Sequence, residues 1–194
     1  MRVFKFGGAS VKDAGSIKNV YDVLQKVGFD DVLLVVSAMG KTTNALEVVI
    51  KNYFDKSAEL KASIQEVKKY HNQILLDLFE DEKHDVFTAV NRHFTDMEYF
   101  LGTNKSPNYN FVYDQIVGYG EIVSTTILSY YFNHSGIKNQ WVDVRNLIKT
   151  DNTYRDAIVD WELTQKTISK NIRKKVLNIT QGFLGSDENN FTTT

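Results

Sequence analysis

The chain has 194 residues, 42% of them hydrophobic, with a formal net charge of −1 and a mean hydropathy of −0.31. This is an ordinary globular composition, large enough to bury a sizeable core and without the charge footprint of a nucleic-acid or acidic-membrane binder. There is no cysteine, which excludes disulfides, thiolate chemistry and zinc–thiolate sites. No basic, apolar leader opens the chain and no apolar run approaches membrane-spanning length, so a reducing cytoplasm is the expected location. The N-x-S/T sequons at Asn104, Asn133, Asn178 and Asn190 are read as chance in that setting.

Arg2 to Phe6 reads as a short strand that carries Lys5 and runs into Gly7-Gly8-Ala9-Ser10. Glycines there let backbone N–H groups approach a ligand, and Lys5 adds a positive charge beside the resulting anion-binding concavity. Asp13 is placed to cap a helix with Ile17, Val20, Leu24 and Val27 at helical spacing, ending at Gly28. The continuous run Val32 to Val36 predicts a strand buried on both faces. A helix follows with Leu46, Val49, Ile50 and Phe54 on one side.

From about Asp55 to Leu101 the rhythm changes. Leu60, Ile64, Val67, His71, Ile74 and Leu78, and then Val86, Val90, Phe94, Met97 and Leu101, describe two amphipathic helices around the charged break Glu80-Asp81-Glu82-Lys83. They predict a helical hairpin inserted at about residues 55–105, either a core-packing element or a lid or dimerisation arm. Thr103 to Asn110, with the only proline, Pro107, is the most linker-like stretch. Beyond it, Ile116 to Tyr130 marks a helix closing near Ser135-Gly136, Trp141 to Val144 a strand, and Ile168, Ile172 and Val176 another helix. A last strand is predicted around Leu177 to Thr180. Strand–helix alternation implies an α/β fold, a three-layer αβα sandwich on a mainly parallel sheet.

In such a sheet the segments that follow each strand gather at its carboxyl edge, where open α/β proteins bind ligands. Gly7 to Ser10, Ser37 to Asn44, Asp143 to Arg145 and Gln181 to Gly185 all fall there. Glycine and hydroxyl caps are also ordinary loop chemistry. Met39-Gly40-Lys41-Thr42 is not a P-loop, because the required first glycine would be Val35, inside the strand. Gly118-Tyr119-Gly120 lacks the third glycine of a dinucleotide fingerprint. His71, His84, His93 and His134 have no ligand spacing, so no protein-held metal site is expected, and any Mg²⁺ would come with a nucleotide.

Taken together, these motifs resemble the aspartate kinases of the amino-acid kinase family. Lys5-Phe6-Gly7-Gly8-Ala9-Ser10-Val11 looks like their opening motif, with Ala9 where threonine is usual. Val35 to Asn44 is similar to their second loop, Gly120 to Ser124 to their glycine–glutamate helix start, and Asp143-Val144-Arg145 to their aspartate–x–arginine strand end. Thr180 to Ser186 and Thr192-Thr193-Thr194 match the late segment. The resemblance implies phosphoryl transfer from ATP to the β-carboxylate of L-aspartate, the start of lysine, threonine and methionine synthesis. It implies Lys5, Phe6, Gly7, Gly8 and Ser10 at the nucleotide, Ser37, Thr43 and Glu121 at the substrate, and Lys5 and Asp160 as catalytic groups. It also implies a homo-oligomer in the full-length protein. Another amino-acid kinase, with acetylglutamate or glutamate as acceptor, and a non-catalytic binding domain are the alternatives.

Two departures stand out. Some members place arginine directly before the small residue corresponding to Ala157, where this chain has Asp156, with Arg155 one residue earlier. The family's later Arg-Gly-Gly-Ser-Asp segment and ACT domains do not occur in the 194 residues. The chain is therefore expected to be the amino-terminal part of the catalytic domain and inactive alone. Exposed backbone is expected at the last strand near Ile179, and mobility from Ser186 to Thr194.

Overall fold

Alternating side chains account for the sheet. In the computed structural model, which describes residues 1–194, β1 (Arg2–Phe6) lies parallel to β2 (Val32–Val36), with Lys5 opposite Val35. β3 (Asn139–Trp141) and β4 (Leu177–Gln181) complete a sheet of order β1-β2-β4-β3 in which every pairing is parallel. Phe4, Phe6, Val32, Leu34 and Val36 face one side and join a core cluster of 34 buried residues and the side chains packed on it.

That core is closed by α1 (Ala14–Val27), α2 (Thr42–Phe54), α3 (Leu60–Leu78), α4 (Asp85–Thr103), α5 (Tyr109–Val117) and α6 (Tyr119–His134). The Asp13 carboxylate caps α1 by accepting from Ser16 N–H at 2.7 Å, and Gly28 ends it at φ 81°. α3 and α4, 19 residues each, are tied by the Lys68–Glu98 ion pair at 2.9 Å. The opposite face of the sheet carries α7 (Trp161–Asn171), whose Ile168 lines a cavity of about 250 Å³ with Leu33, Val35 and Ile172. The result is three layers with a thick helical side and a thin one.

Several expectations need correction. The helix expected through Ile116 and Tyr130 is two helices, α5 and α6, meeting at Gly118. A Cβ on Gly118 would lie 3.2–3.3 Å from Thr192 and Leu184 side-chain atoms, so the junction packs closely on the late segment. β3 stops at Trp141, because the Asp143 carboxylate accepts from Arg145 N–H and turns Val144–Asn146 into a 3-10 turn. α7 stops at Asn171 and does not reach Val176; the Asn178 side chain instead bonds Arg173 N–H and C=O at 3.1 and 2.8 Å.

The largest corrections concern the end of the chain. β4 is an interior strand, paired with β2 along its whole length and with β3 from Leu177 to Ile179. Residues beyond it fold back as the antiparallel pair β5 (Gly185–Ser186) and β6 (Thr192–Thr193). The Gln115 amide then acts as a strand edge, accepting from Thr192 N–H at 3.0 Å and donating to Thr192 C=O at 2.8 Å. Beside it, the buried Asp114 carboxylate accepts from Thr194 N–H, Thr194 Oγ1 and Arg155 N–H at 3.0, 2.7 and 2.9 Å. Burial pushes the Asp114 carboxyl above its usual range, against the pull of those donors.

Asp114→Ala therefore leaves three donors without their acceptor. It should lower stability by about 2–4 kcal/mol, with loss of amide protection concentrated at Thr192–Thr194 and Arg155. Melting and hydrogen exchange measure both; an unchanged melt would show that the segment is held by something else.

Candidate active site

The carboxyl ends of β1 and β2 meet through backbone alone. Ser37 N–H donates to Phe6 C=O at 3.1 Å, and Gly40 N–H donates to Gly8 C=O at 3.0 Å. A Cβ on Gly8 would sit 2.6 Å from Ala38 O and 2.9 Å from Gly40 O, so this approach requires glycine. Gly40 itself has φ 54°.

The N–H groups of Gly7, Gly8 and Ala9 donate to no other group of the chain. They open a 3-10 turn from Gly8 to Val11 and form an uncommitted row of donors, an arrangement suited to anionic oxygens. Lys5, on the last turn-ward residues of β1, is exposed and takes part in no ion pair, so its charge is free for a ligand. Phe6 packs into the core and positions the turn rather than presenting a polar group. Ser10 is exposed, its N–H spent on Gly7 C=O at 2.9 Å.

Glu121 enters from the first turn of α6. It is 3% exposed; its Oε1 accepts from Ala38 N–H at 3.2 Å, and its buried Oε2 has no partner. Burial pushes its carboxyl up to about 7. The surrounding order is set by a chain of bonds: Thr125 Oγ1 donates to Glu121 C=O, while Gln181 Nε2 and Trp141 Nε1 donate to Thr125 Oγ1 at 2.6 and 3.0 Å. Gln181 Oε1 also accepts from Val144 N–H at 2.7 Å, joining the β4 end to the β3 end. Ser37 C=O accepts from Ser124 Oγ at 2.8 Å, which leaves the Ser37 hydroxyl unbonded. The half-buried Thr43 hydroxyl, in the first turn of α2, is likewise uncommitted.

Lys5 lies on β1, Gly7 and Gly8 follow it, Ser37 follows β2, Thr43 opens α2 and Glu121 opens α6; the Gly40–Gly8 and Ala38–Glu121 bonds join the two loops and α6. Asp160 is elsewhere. It caps α7, with Oδ1 accepting from Leu163 N–H at 2.9 Å, and its N–H donates to Lys149 C=O. It lines a groove with Lys149, Asp151 and Asp187 and makes no contact with Lys5. Sequence reasoning missed Arg145 as a connector. Its guanidinium grips Asp143 at 2.6 and 2.9 Å and donates to Thr192 Oγ1 at 3.3 Å, tying the β3 end to β6. The aspartate–x–arginine pattern was the available signal. No three His, Asp or Glu side chains are grouped to hold a metal ion.

A free cationic lysine beside uncommitted N–H groups can hold a polyphosphate. A buried carboxylate with a vacant oxygen can hold an ammonium. The family model for the amino acid kinase family matches residues 1–193. The chain is 28% identical over 98% of its length to an aspartokinase of Chlamydia trachomatis, spanning 42% of that protein. It is 24% identical over 99% of its length to a chloroplastic bifunctional aspartokinase/homoserine dehydrogenase 2 of Arabidopsis thaliana, spanning 22% of it. Escherichia coli aspartokinase III, solved with aspartate and ADP, superposes over the whole chain with a TM-score of 0.88 at 22% identity, a likeness of fold. The chain covers 43% of that structure, so it spans less than half of the relatives it matches. No helix is long and apolar enough to cross a membrane. By its matched family model, this chain belongs to the amino acid kinase family.

Proposed function

We propose that this chain forms the phosphate- and amino-acid-binding part of an aspartate kinase, which moves the γ-phosphoryl group of ATP to the β-carboxylate of L-aspartate. The observation that carries the reading is the pairing of a vacant buried carboxylate oxygen on Glu121 with a free lysine and free N–H groups one loop away. The names of the relatives favour aspartate over other acceptors.

In this reading no strong base is required, because the acceptor carboxylate is already ionised at neutral pH. The chain's task is to bring two anions together and offset the charge that shifts as the phosphoryl group moves. Lys5 offsets that charge, and the Gly7, Gly8 and Ala9 N–H groups hold phosphate oxygens. Glu121 holds the substrate ammonium, and the Ser37 and Thr43 hydroxyls orient its oxygens. Mg²⁺ would be carried on the nucleotide phosphates and would add charge neutralisation there. Asp160, whose Oδ1 caps α7, lines the groove with Lys149, Asp151 and Asp187.

Lys5→Ala should weaken binding of inorganic tripolyphosphate by about tenfold or more and leave L-aspartate binding within about twofold. In a longer chain with turnover, the same change should reduce kcat by about a hundredfold. Calorimetry on the chain and a coupled assay read these effects; normal turnover without Lys5 would remove its assignment.

Glu121 gives a pH test with a defined sign. An ammonium needs the ionised carboxylate, so L-aspartate affinity should rise with pH up to about 7 and level off above it. The stability of the ligand-free chain should move the other way. The folded carboxyl holds its proton above the ordinary value of 4.5, so stability falls as pH rises from there to about 7. Glu121→Gln should flatten both profiles and weaken L-aspartate at least about tenfold, while tripolyphosphate binding stays the same. Equal losses for both ligands would make Glu121 a structural residue.

A further inference from the structure

The β1 and β2 loops do not hold each other unaided. α3 reaches them with two consecutive side chains. Tyr70 Oη donates to the C=O of Lys12, the residue that closes the 3-10 turn after Gly7-Gly8. The same oxygen covers Gly40: a Cβ there would lie 2.6 Å from Tyr70 Oη. One hydroxyl therefore touches the end of the β1 loop and the left-handed apex of the β2 loop together, at the place where Gly40 N–H meets Gly8 C=O at 3.0 Å.

His71 supports the next turn of chain from beneath. It is fully buried, and burial brings its imidazole down to about 4, so it is neutral across the physiological range. Nδ1 lies 2.8 Å from Val67 C=O, which can only accept, so the proton is on Nδ1. Nε2 is then an acceptor 3.4 Å from Thr42 Oγ1, whose single proton goes to Met39 C=O at 2.6 Å, so His71 supports Thr42 by packing and not by a hydrogen bond. The Tyr70 and His71 rings meet edge-on with centroids 5.0 Å apart, so the two braces fix each other.

We propose that Tyr70 is a positioning residue for phosphate binding, holding the Gly7–Ala9 donors and the β2 loop at the separation a polyphosphate needs. The helical pair α3–α4 is then part of the site's machinery as well as part of the core. The proposal rests on the phosphate reading of the Gly7–Ala9 loop given above. It requires that the Tyr70 hydroxyl, and not only its ring, matters.

The test compares Tyr70→Phe with Tyr21→Phe on the full chain. Tyr21 Oη makes a bond of the same kind, to Ser135 C=O at 2.6 Å, between α1 and the end of α6. Tyr70→Phe should speed exchange of the Gly40 amide by about tenfold and weaken inorganic tripolyphosphate about five- to tenfold, the scale of one hydrogen bond, with α3 amides still protected. Tyr21→Phe should change neither reading, whatever it does to the melting temperature. Unchanged Gly40 exchange in Tyr70→Phe overturns the brace. Faster exchange with unaltered tripolyphosphate affinity overturns the positioning role. If the unsubstituted chain binds no tripolyphosphate, while Lys5→Ala is equally silent, the phosphate reading fails, and the positioning role with it; the exchange result then reports the brace alone.

Discussion

Everything at the carboxyl edge depends on how closely backbone can pack around Ala38. Gly8 lies against its carbonyl, where any Cβ would come within 2.6 Å. Gly120 lies against its methyl group, where a Cβ would come within 2.9 Å. Its N–H is held by Glu121. Two glycines and one carboxylate, from the β1 loop and from α6, thus converge on one small residue. A larger side chain at any of the three positions would separate the β1 loop, the β2 loop and α6. This contact puts free N–H donors on one side of Ala38 and a vacant carboxylate oxygen on the other.

Such a site is costly to the fold, and the cost is informative. A carboxylate buried with one backbone donor and one vacant oxygen is poorly solvated, which is why its proton affinity rises. An apolar residue of similar size would pack there without that penalty. The Thr125–Gln181–Trp141 bonds spend further buried polar groups on fixing the turn that carries Glu121. Fully bonded networks of this kind rigidify their surroundings, whereas the second Glu121 oxygen is a buried polar atom that the fold leaves unsatisfied. Asp114 is the contrast: equally buried, but saturated by three donors, it is a structural carboxylate.

Legibility followed the range of the interactions. β1, β2, α1 and α2 were readable because each is specified by local periodicity and a cap, as with Asp13 and Gly28. The placing of Gly7–Gly8 and Ser37 at one edge was readable because a parallel sheet brings its strand ends together, whereas Glu121, which opens a helix, was pointed to only by the family resemblance. The split at Gly118 was not readable, since Gly118 packs against Thr192 and Leu184, distant in sequence, and no local signal marks it. Nor was the docking of Thr192–Thr194, in which Gln115 imitates a strand edge from a helix. No propensity or period encodes a side-chain amide standing in for backbone. At Asp160 the role the structure shows is local: an acid next to a helix start can cap it, and here its Oδ1 does.

The same long-range bonds join the strand ends into one unit. Arg145 ties the β3 end to Thr192, Gln181 ties the β4 end to Val144, and Gly40 ties the β2 loop to Gly8. Each link crosses between elements far apart in the chain, so none can form before the sheet has assembled in its β1-β2-β4-β3 order. The donors at Gly7–Ala9 and the acceptor at Glu121 are consequently preset before any ligand arrives. Preorganisation of this kind is what an electrostatic site requires, since dipoles already fixed in place need no reorganisation when charge moves. The helical pair adds rigidity from outside the sheet, through the Tyr70 hydroxyl at Lys12 and Gly40 and the packing of His71 behind it.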